Sequence, residues 1–169
     1  AQGIAIGTGA GSTTQGAAAV AIGEDAGTTN QGADSVAIGN QAGNNAQGGD
    51  SVAVGNQALN NNTTGVQNTI VGMGAAYYNT TGSKNAALGF NAMLNDITGS
   101  DNVAVGNGAL NNNTSGDSNV AIGNAALQAH TTGDGNIAIG DFALSGTTTN
   151  TDNIGVGRHV SANDKNSCI

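Results

Sequence analysis

The sequence predicts an all-β fold, a β-solenoid of stacked parallel coils in which residues 1–169 form a single repeat domain. Three observations support this prediction. A tetrapeptide of the pattern apolar–Ala–apolar–Gly recurs along the whole chain at nearly constant spacing. Within it, large β-branched residues alternate with small ones, which is typical of a strand with two different faces. The chain contains no proline, so every coil can donate its backbone N–H groups to a neighbour.

The glycine that ends each tetrapeptide, called here the marker glycine, sets the length of the coils. Three intervals of 16 residues are followed by six of 17, and residues 158–169 are a partial last coil. A coil this short favours a flattened β-roll over a three-sided β-helix, and ten coils predict a rod about 48 Å long. The marker glycines are Gly7, Gly23, Gly39, Gly55, Gly72, Gly89, Gly106, Gly123, Gly140 and Gly157.

A second apolar segment follows each marker glycine. Its third residue is usually Ala, as at Ala26 and Ala109, and its fourth is Gly in the 16-residue coils and mostly Leu or Met in the 17-residue coils. We predict a second, shorter strand here, with its Ala and Leu closing the core. Gly-containing turns complete the coil.

An Asn column lies four residues before the marker glycine in the 17-residue coils. Asn102 and Asn119 are examples. Identical Asn side chains one coil apart predict a hydrogen-bonded ladder that holds the register. The alternative is that Asn merely suits the turn.

The two faces of the tetrapeptide predict two different environments. We expect the Val and Ile side chains to fill the roll and the Ala side chains to form an apolar stripe outside it. Such a stripe needs a partner, and a closed cyclic assembly covers it; we favour three chains, although two also fit. The expected roll core is Val36, Ile38, Val103, Val105, Val120, Ile122, Ile137 and Ile139, and the expected trimer interface is Ala21, Ala37, Ala53, Ala87, Ala104, Ala121 and Ala138.

Composition argues against several classes of partner. The net charge is −8 with only three Lys and Arg residues, which cannot neutralise a nucleic-acid backbone. No apolar run approaches the ~20 residues of a transmembrane helix, so no direct membrane insertion is expected. A single Cys168 forms no internal disulfide.

We expect no catalytic residues, cofactor or metal site, and hence no enzyme. Asp34 and Asp50 occupy one column of consecutive coils but lack the further carboxylates of a Ca²⁺ site. His130 and His159 have no partners at metal-ligand spacing and are expected on the surface.

Tyr77 and Tyr78 are the best candidates for a ligand contact. They interrupt an otherwise polar turn, and adjacent residues of an extended segment point in opposite directions, so at least one ring is expected to be exposed. Local packing is the alternative explanation.

The motif VAIG-x-x-A, followed by a Gly turn and repeated in register, resembles the head repeats of YadA-like trimeric autotransporter adhesins. The longer coils are also similar to repeats in phage and large-virus tail fibres. The resemblance covers essentially the whole chain. It implies a left-handed parallel β-roll, trimeric about the rod axis. It further implies an extracellular adhesive head on a bacterial outer-membrane surface that binds a host surface protein or glycan. The alternative is a structural shaft or receptor-binding segment of a virion fibre.

Overall fold

A computed structural model describes residues 3–161, and within them the chain forms ten short parallel strands in one sheet. The strands follow one another in chain order, and each pairs in register with the next, so that Ala21 lies beside Ala37 and Ala37 beside Ala53. No helix occurs among these residues, and the predicted all-β solenoid of 16- and 17-residue coils is confirmed. The strands are β1 Ile4–Ile6, β2 Val20–Ile22, β3 Val36–Ile38, β4 Val52–Val54, β5 Thr69–Val71, β6 Ala86–Leu88, β7 Val103–Val105, β8 Val120–Ile122, β9 Ile137–Ile139 and β10 Ile154–Val156.

The partial last coil, residues 158–169, lies mostly outside the described residues, and so does Cys168. Within residues 3–161 no helix is long and apolar enough to cross a membrane.

Backbone hydrogen bonds tie neighbouring coils together well beyond the three-residue strands. The N–H of Gly11 donates to the carbonyl of Ala26 at 2.9 Å, and the N–H of Thr13 donates to that of Thr28 at 2.9 Å. The ladder therefore runs around most of the coil, and the coils stack as a continuous rod.

The predicted second strand is wrong in detail. The segment after the marker glycine is a turn, in which the N–H of Ala26 donates to the Gly23 carbonyl at 3.3 Å. Asp25 and Gly27 have φ angles of 54° and 52°, which curl the backbone out of an extended conformation. Outside the named strands, the β-pairing of the described residues consists of two isolated parallel bridges, which join Gln15 to Gln31 and Thr29 to Asn45.

The predicted assignment of the two strand faces is also wrong, because the small residues point into the coil and the large ones point out of it. The expected interface residues Ala21, Ala37, Ala53, Ala87, Ala104, Ala121 and Ala138 are all buried inside the single chain. The expected roll-core residues Val36, Ile38, Val103, Val105, Val120, Ile122, Ile137 and Ile139 are half-buried or exposed on the outer face.

The physical reason is the thinness of the coil. The inner face of the sheet packs directly on the buried Ala and Leu of the turn segment, such as Ala109 and Leu110. At Gly155, in the middle of β10, an added Cβ would come within 2.7 Å of the Leu144 side chain. A Val or Ile does not fit opposite a Leu of the turn segment without overpacking.

The two coil lengths correspond to two ways of filling the interior. In a 16-residue coil the buried Gln31 side chain occupies the space above Gly27, where an added Cβ would lie 2.7 Å from Gln31 Cδ. In a 17-residue coil a buried Leu110 takes the place of the glycine, and a buried Asn113 replaces the glutamine. The change from Gly to Leu is thus coupled to a change in the polar residue that shares the space.

The Asn column forms a ladder, as predicted, although most of its bonds involve the backbone. The N–H of Asn119 donates to Asn102 Oδ1 at 2.8 Å, and Asn119 Nδ2 donates to the Gly133 carbonyl at 2.9 Å. A direct side-chain bond also joins Asn136 Nδ2 to Asn119 Oδ1 at 2.9 Å. Each buried Asn therefore links its own coil to both neighbours.

We expect Asn119→Ala to lower the free energy of unfolding by about 2 to 4 kcal/mol, because the Asn136 N–H and Nδ2 lose their shared acceptor. The Gly133 carbonyl also loses one of its two side-chain partners and keeps only His130 Nε2. Urea unfolding followed by circular dichroism measures the loss. Asn107→Ala is the matched control, since Asn107 is exposed and its side chain forms no hydrogen bond within residues 3–161. A loss no larger than that of the control would contradict a stabilising role for the ladder.

Candidate functional site

The outer sheet face is an apolar surface that runs along the described chain. It consists of the first and third residues of each strand, all of them apolar except Thr69, and none of them is buried. Ten strands spaced about 4.8 Å apart make this face about 43 Å long. Isolated exposed apolar residues are ordinary, but a contiguous patch of this extent is typical of a surface that another protein covers.

The outer sheet face comprises two columns of residues. The first is Ile4, Val20, Val36, Val52, Thr69, Ala86, Val103, Val120, Ile137 and Ile154, and the second is Ile6, Ile22, Ile38, Val54, Val71, Leu88, Val105, Ile122, Ile139 and Val156.

The coil that carries the two tyrosines departs from the repeat inside as well as outside. Ile70 stands in the buried Ala column, and in the same coil Ala76 stands where the other 17-residue coils have Leu or Met. The two exchanges offset each other in volume, so the core remains filled. Tyr77 and Tyr78 follow directly, with ring centroids 4.6 Å apart in an edge-to-face arrangement. The Tyr78 side chain is 49% exposed, so the expectation of at least one exposed ring is met.

A groove beside Tyr78, called here the amide groove, runs along the rod across three coils. Its volume is about 570 Å³. Its walls are two columns of side chains, six and eight residues after the marker glycine, and the buried residue between them points inward. The lining residues are Tyr78, Thr80, Asn95, Ile97, Asn112 and Thr114.

The amide groove offers hydrogen-bonding groups that the protein does not use. Asn95 Nδ2 donates to Asn112 Oδ1 at 3.0 Å. Among the described residues, Asn95 Oδ1 and Asn112 Nδ2 have no protein partner, which leaves one acceptor and one donor facing the groove. The Thr80 and Thr114 hydroxyls donate to carbonyls of the following coils, at 3.0 and 2.9 Å, and so hold the wall in place.

A second depression of about 460 Å³ lies on the other side of Tyr78. Met73 and Phe90, 50% and 45% exposed, give it an apolar wall. No charged residue lines either depression. The residues that line this second depression are Asn56, Gln57, Met73, Gly74, Tyr77, Tyr78, Phe90, Asn91 and Leu94.

The residues considered as metal ligands are Asp34 and Asp50, which lie in consecutive coils, and His130 and His159. Among residues 3–161 no group of three or more His, Cys, Asp or Glu side chains is arranged to hold a metal ion. Asp34 and Asp50 are exposed, and His159 is exposed and stacks on Phe142 with a centroid distance of 5.1 Å. The expectation that His130 lies on the surface is wrong. It is fully buried, and its Nε2 lies 2.7 Å from the Gly133 carbonyl oxygen.

A buried carboxyl group, Asp96, is a feature that sequence reasoning missed. It occupies the inner column that holds Asn79 and Asn113 in the neighbouring coils. Asp96 Oδ1 accepts hydrogen bonds from the Gly99 N–H at 3.0 Å and from Asn113 Nδ2 at 3.1 Å, while Oδ2 has no partner. Desolvation by burial raises the pKa of Asp96 from 3.8 to about 8. The available signal was an Asp in a column that is otherwise mostly Asn.

The candidate functional surfaces are therefore the outer sheet face and the amide groove. The sequence analysis had assigned the outer sheet face to the interior. Of the residues that line the amide groove, it had named only Tyr78 as a candidate for a ligand contact. Both are built by the repeat, because each coil adds one residue to every column. Comparisons of the chain with protein-family models, with curated proteins and with solved structures give no match.

Proposed function

We propose that this chain is an extracellular adhesive head of a trimeric surface fibre, which attaches to host cells or matrix through many weak polar contacts. The observation that carries the proposal is the outer sheet face, a continuous apolar surface along the whole described rod. A rod with such a face needs a partner of the same length. A second and third copy of the chain supply it in register.

The apolar surface that needs a partner is therefore the outer sheet face, and not the Ala face that was predicted from the sequence. Side chains such as Leu88 and Ile122, 53% and 38% exposed, lose contact with water when three outer sheet faces meet around a common axis. Burial of apolar surface contributes roughly 25 cal/mol per Å². A closed cyclic arrangement covers every face equally, and the trimer is the state that the resemblance to YadA-like heads implies.

Adhesion is supported by what such a fibre displays. The turns of every coil carry Asn or Thr side chains, and most coils carry both, so the trimer presents each of them three times. Weak contacts repeated in this way raise the overall affinity by avidity, without any new contact. A left-handed winding and a location on a bacterial outer-membrane surface follow from the resemblance and stay predictions.

A monomeric variant is made by acidic substitutions on the outer sheet face, such as Val103→Asp together with Val120→Asp. We expect the purified trimer to bind cultured mammalian cells or immobilised matrix proteins at least 100-fold more tightly than this variant. Surface plasmon resonance or flow cytometry measures the difference. Circular dichroism of the variant checks that its coils remain folded. Absence of binding by the intact trimer to every cell and matrix surface would instead favour the alternative, a shaft segment of a phage or viral tail fibre.

A further inference from the structure

The residues of the amide groove break the repeat in a way that the fold does not require. Six residues after the marker glycine, Asn95 and Asn112 follow Tyr78 in successive coils, and eight residues after it, Ile97 stands between Thr80 and Thr114. Tyr78 and Ile97 are 49% and 41% exposed, so neither is needed to fill the core. Two adjoining coils thus replace polar surface with apolar surface at the same place.

The chemistry of the groove is that of a site for a neutral polar ligand with an apolar face. The Tyr78 ring forms a flat wall and the Ile97 side chain forms an apolar one. Asn95 Oδ1 can accept a hydrogen bond from a ligand, and Asn112 Nδ2 can donate one. No charged side chain lines the groove. A carbohydrate ring matches this set, because it presents C–H groups on its face and hydroxyls, each a donor and an acceptor, at its edge.

The size and position of the groove also suit an oligosaccharide. Three coils span about 10 Å along the rod, and the volume of about 570 Å³ falls within the usual range of ligand sites. Asn79, between Tyr78 and Thr80, is buried, and so is Ala87 in the middle of β6. The groove therefore faces away from the interior, on a part of the coil outside the strands. None of its lining residues belongs to the outer sheet face, so the proposed trimer does not use them.

We infer that the amide groove around Tyr78 binds a short neutral oligosaccharide, with the Tyr78 ring stacked on a sugar face and the Asn95 and Asn112 amides bonded to its hydroxyls. This inference rests on the proposed adhesive function, for which it names the ligand class.

The test uses the two tyrosines of the chain as its signal. Tyr77 and Tyr78 are the only tyrosines, and there is no tryptophan, so intrinsic fluorescence reports on this site alone. The protein is titrated with chitotetraose, maltotetraose and lacto-N-neotetraose as neutral probes and with 3′-sialyllactose as the charged probe. We expect a saturable change with at least one neutral probe and a weaker response, or none, with the charged one.

Two variants restore the repeat and therefore preserve the fold. Tyr78→Asn introduces the residue found at Asn95 and Asn112, and Ile97→Thr introduces the residue found in both neighbouring coils. Each is expected to weaken binding of the responsive probe at least tenfold, as measured by isothermal titration calorimetry. Gly146→Asn is the control, because Gly146 lies in the same column two coils beyond Asn112 and an added Cβ there meets nothing within 4 Å. It is expected to bind the probe as the unaltered protein does.

The outcomes separate this inference from the proposed function. Failure of every neutral probe to bind, stronger binding of the charged probe, or equal binding by Tyr78→Asn and Ile97→Thr overturns the groove as a saccharide site. If the unaltered trimer still binds cells in that case, adhesion stands and uses another surface. If the probes bind in the groove but the trimer binds no cell or matrix surface, the saccharide site stands and the host-adhesive function fails.

Discussion

Replacing Ala104 by Glu is expected to unfold the coils around β7, whereas replacing the adjacent Val103 by Asp is expected to leave the coils folded and to separate the chains of the proposed trimer. Ala104 is fully buried against the Ala and Leu of the turn segment. A carboxylate there has no space and no partner, and an unpaired buried charge costs more than about 4 kcal/mol. Val103 lies on the outer sheet face, where the carboxylate of the Asp remains in water in a single chain.

Two measurements distinguish these results. Far-UV circular dichroism and thermal denaturation are expected to show loss of β signal, or a much lower Tm, for Ala104→Glu only. Native mass spectrometry is expected to show a lower oligomeric state for Val103→Asp only. Retention of the native mass by Val103→Asp would contradict the outer sheet face as the interface, and retention of the fold by Ala104→Glu would contradict the inward orientation of the Ala column.

Replacing Asp96 by Asn is expected to stabilise the protein at neutral pH and to remove part of its pH dependence. The folded pKa of about 8 lies above the unfolded value of 3.8, mainly because burial disfavours the charged carboxylate, with a smaller contribution from the nearby negative charge of Asp117. The folded state therefore holds this proton more tightly than the unfolded state. Its stabilising effect is complete below about pH 4 and is lost as the pH rises towards 8.

At pH 7 the unaltered protein has thus lost most of this contribution, and Asp96→Asn is expected to raise the free energy of unfolding by about 2 to 4 kcal/mol. Asn suits the site, because Asn79 and Asn113 occupy the same column in the adjoining coils. Urea unfolding at pH 4, 6 and 8 measures the effect. Asp101→Asn is the control for the change in net charge, because the Asp101 carboxylate is exposed and has no hydrogen bond to the part of the chain that the structure describes. Parallel pH profiles for Asp96→Asn and the control would contradict the buried, protonated carboxyl.

The repeat made much of the fold predictable. Coil length, parallel register and strand position follow from the spacing of the marker glycines and from the period-two alternation. The Asn column was recognised for the same reason, because a buried polar group that recurs once per coil can bond to its own copies. What alternation cannot supply is the direction in which each face points, since exchanging inside and outside leaves the pattern unchanged.

A signal for the direction was present in the sequence. In the coil of Ile70, the large residue in the Ala column coincides with a small Ala76 in the column that is Leu or Met in the other 17-residue coils. Such an exchange of size indicates that the two columns share one core. The burial of Asp96 and His130 was harder to foresee, because their turn position looks solvent-exposed until the coils are stacked and the column is seen to lie inside.

By itself, the sequence determined that this protein is a rod of short stacked coils, because the repeat sets the same hydrogen-bonding register for every coil. Only the tertiary structure decided that the Ala side chains lie inside and the Val and Ile side chains outside. The reason is distance: the turn segment approaches the sheet so closely that Ala fills the gap, and the larger side chains are left on the face that another copy of the chain can cover.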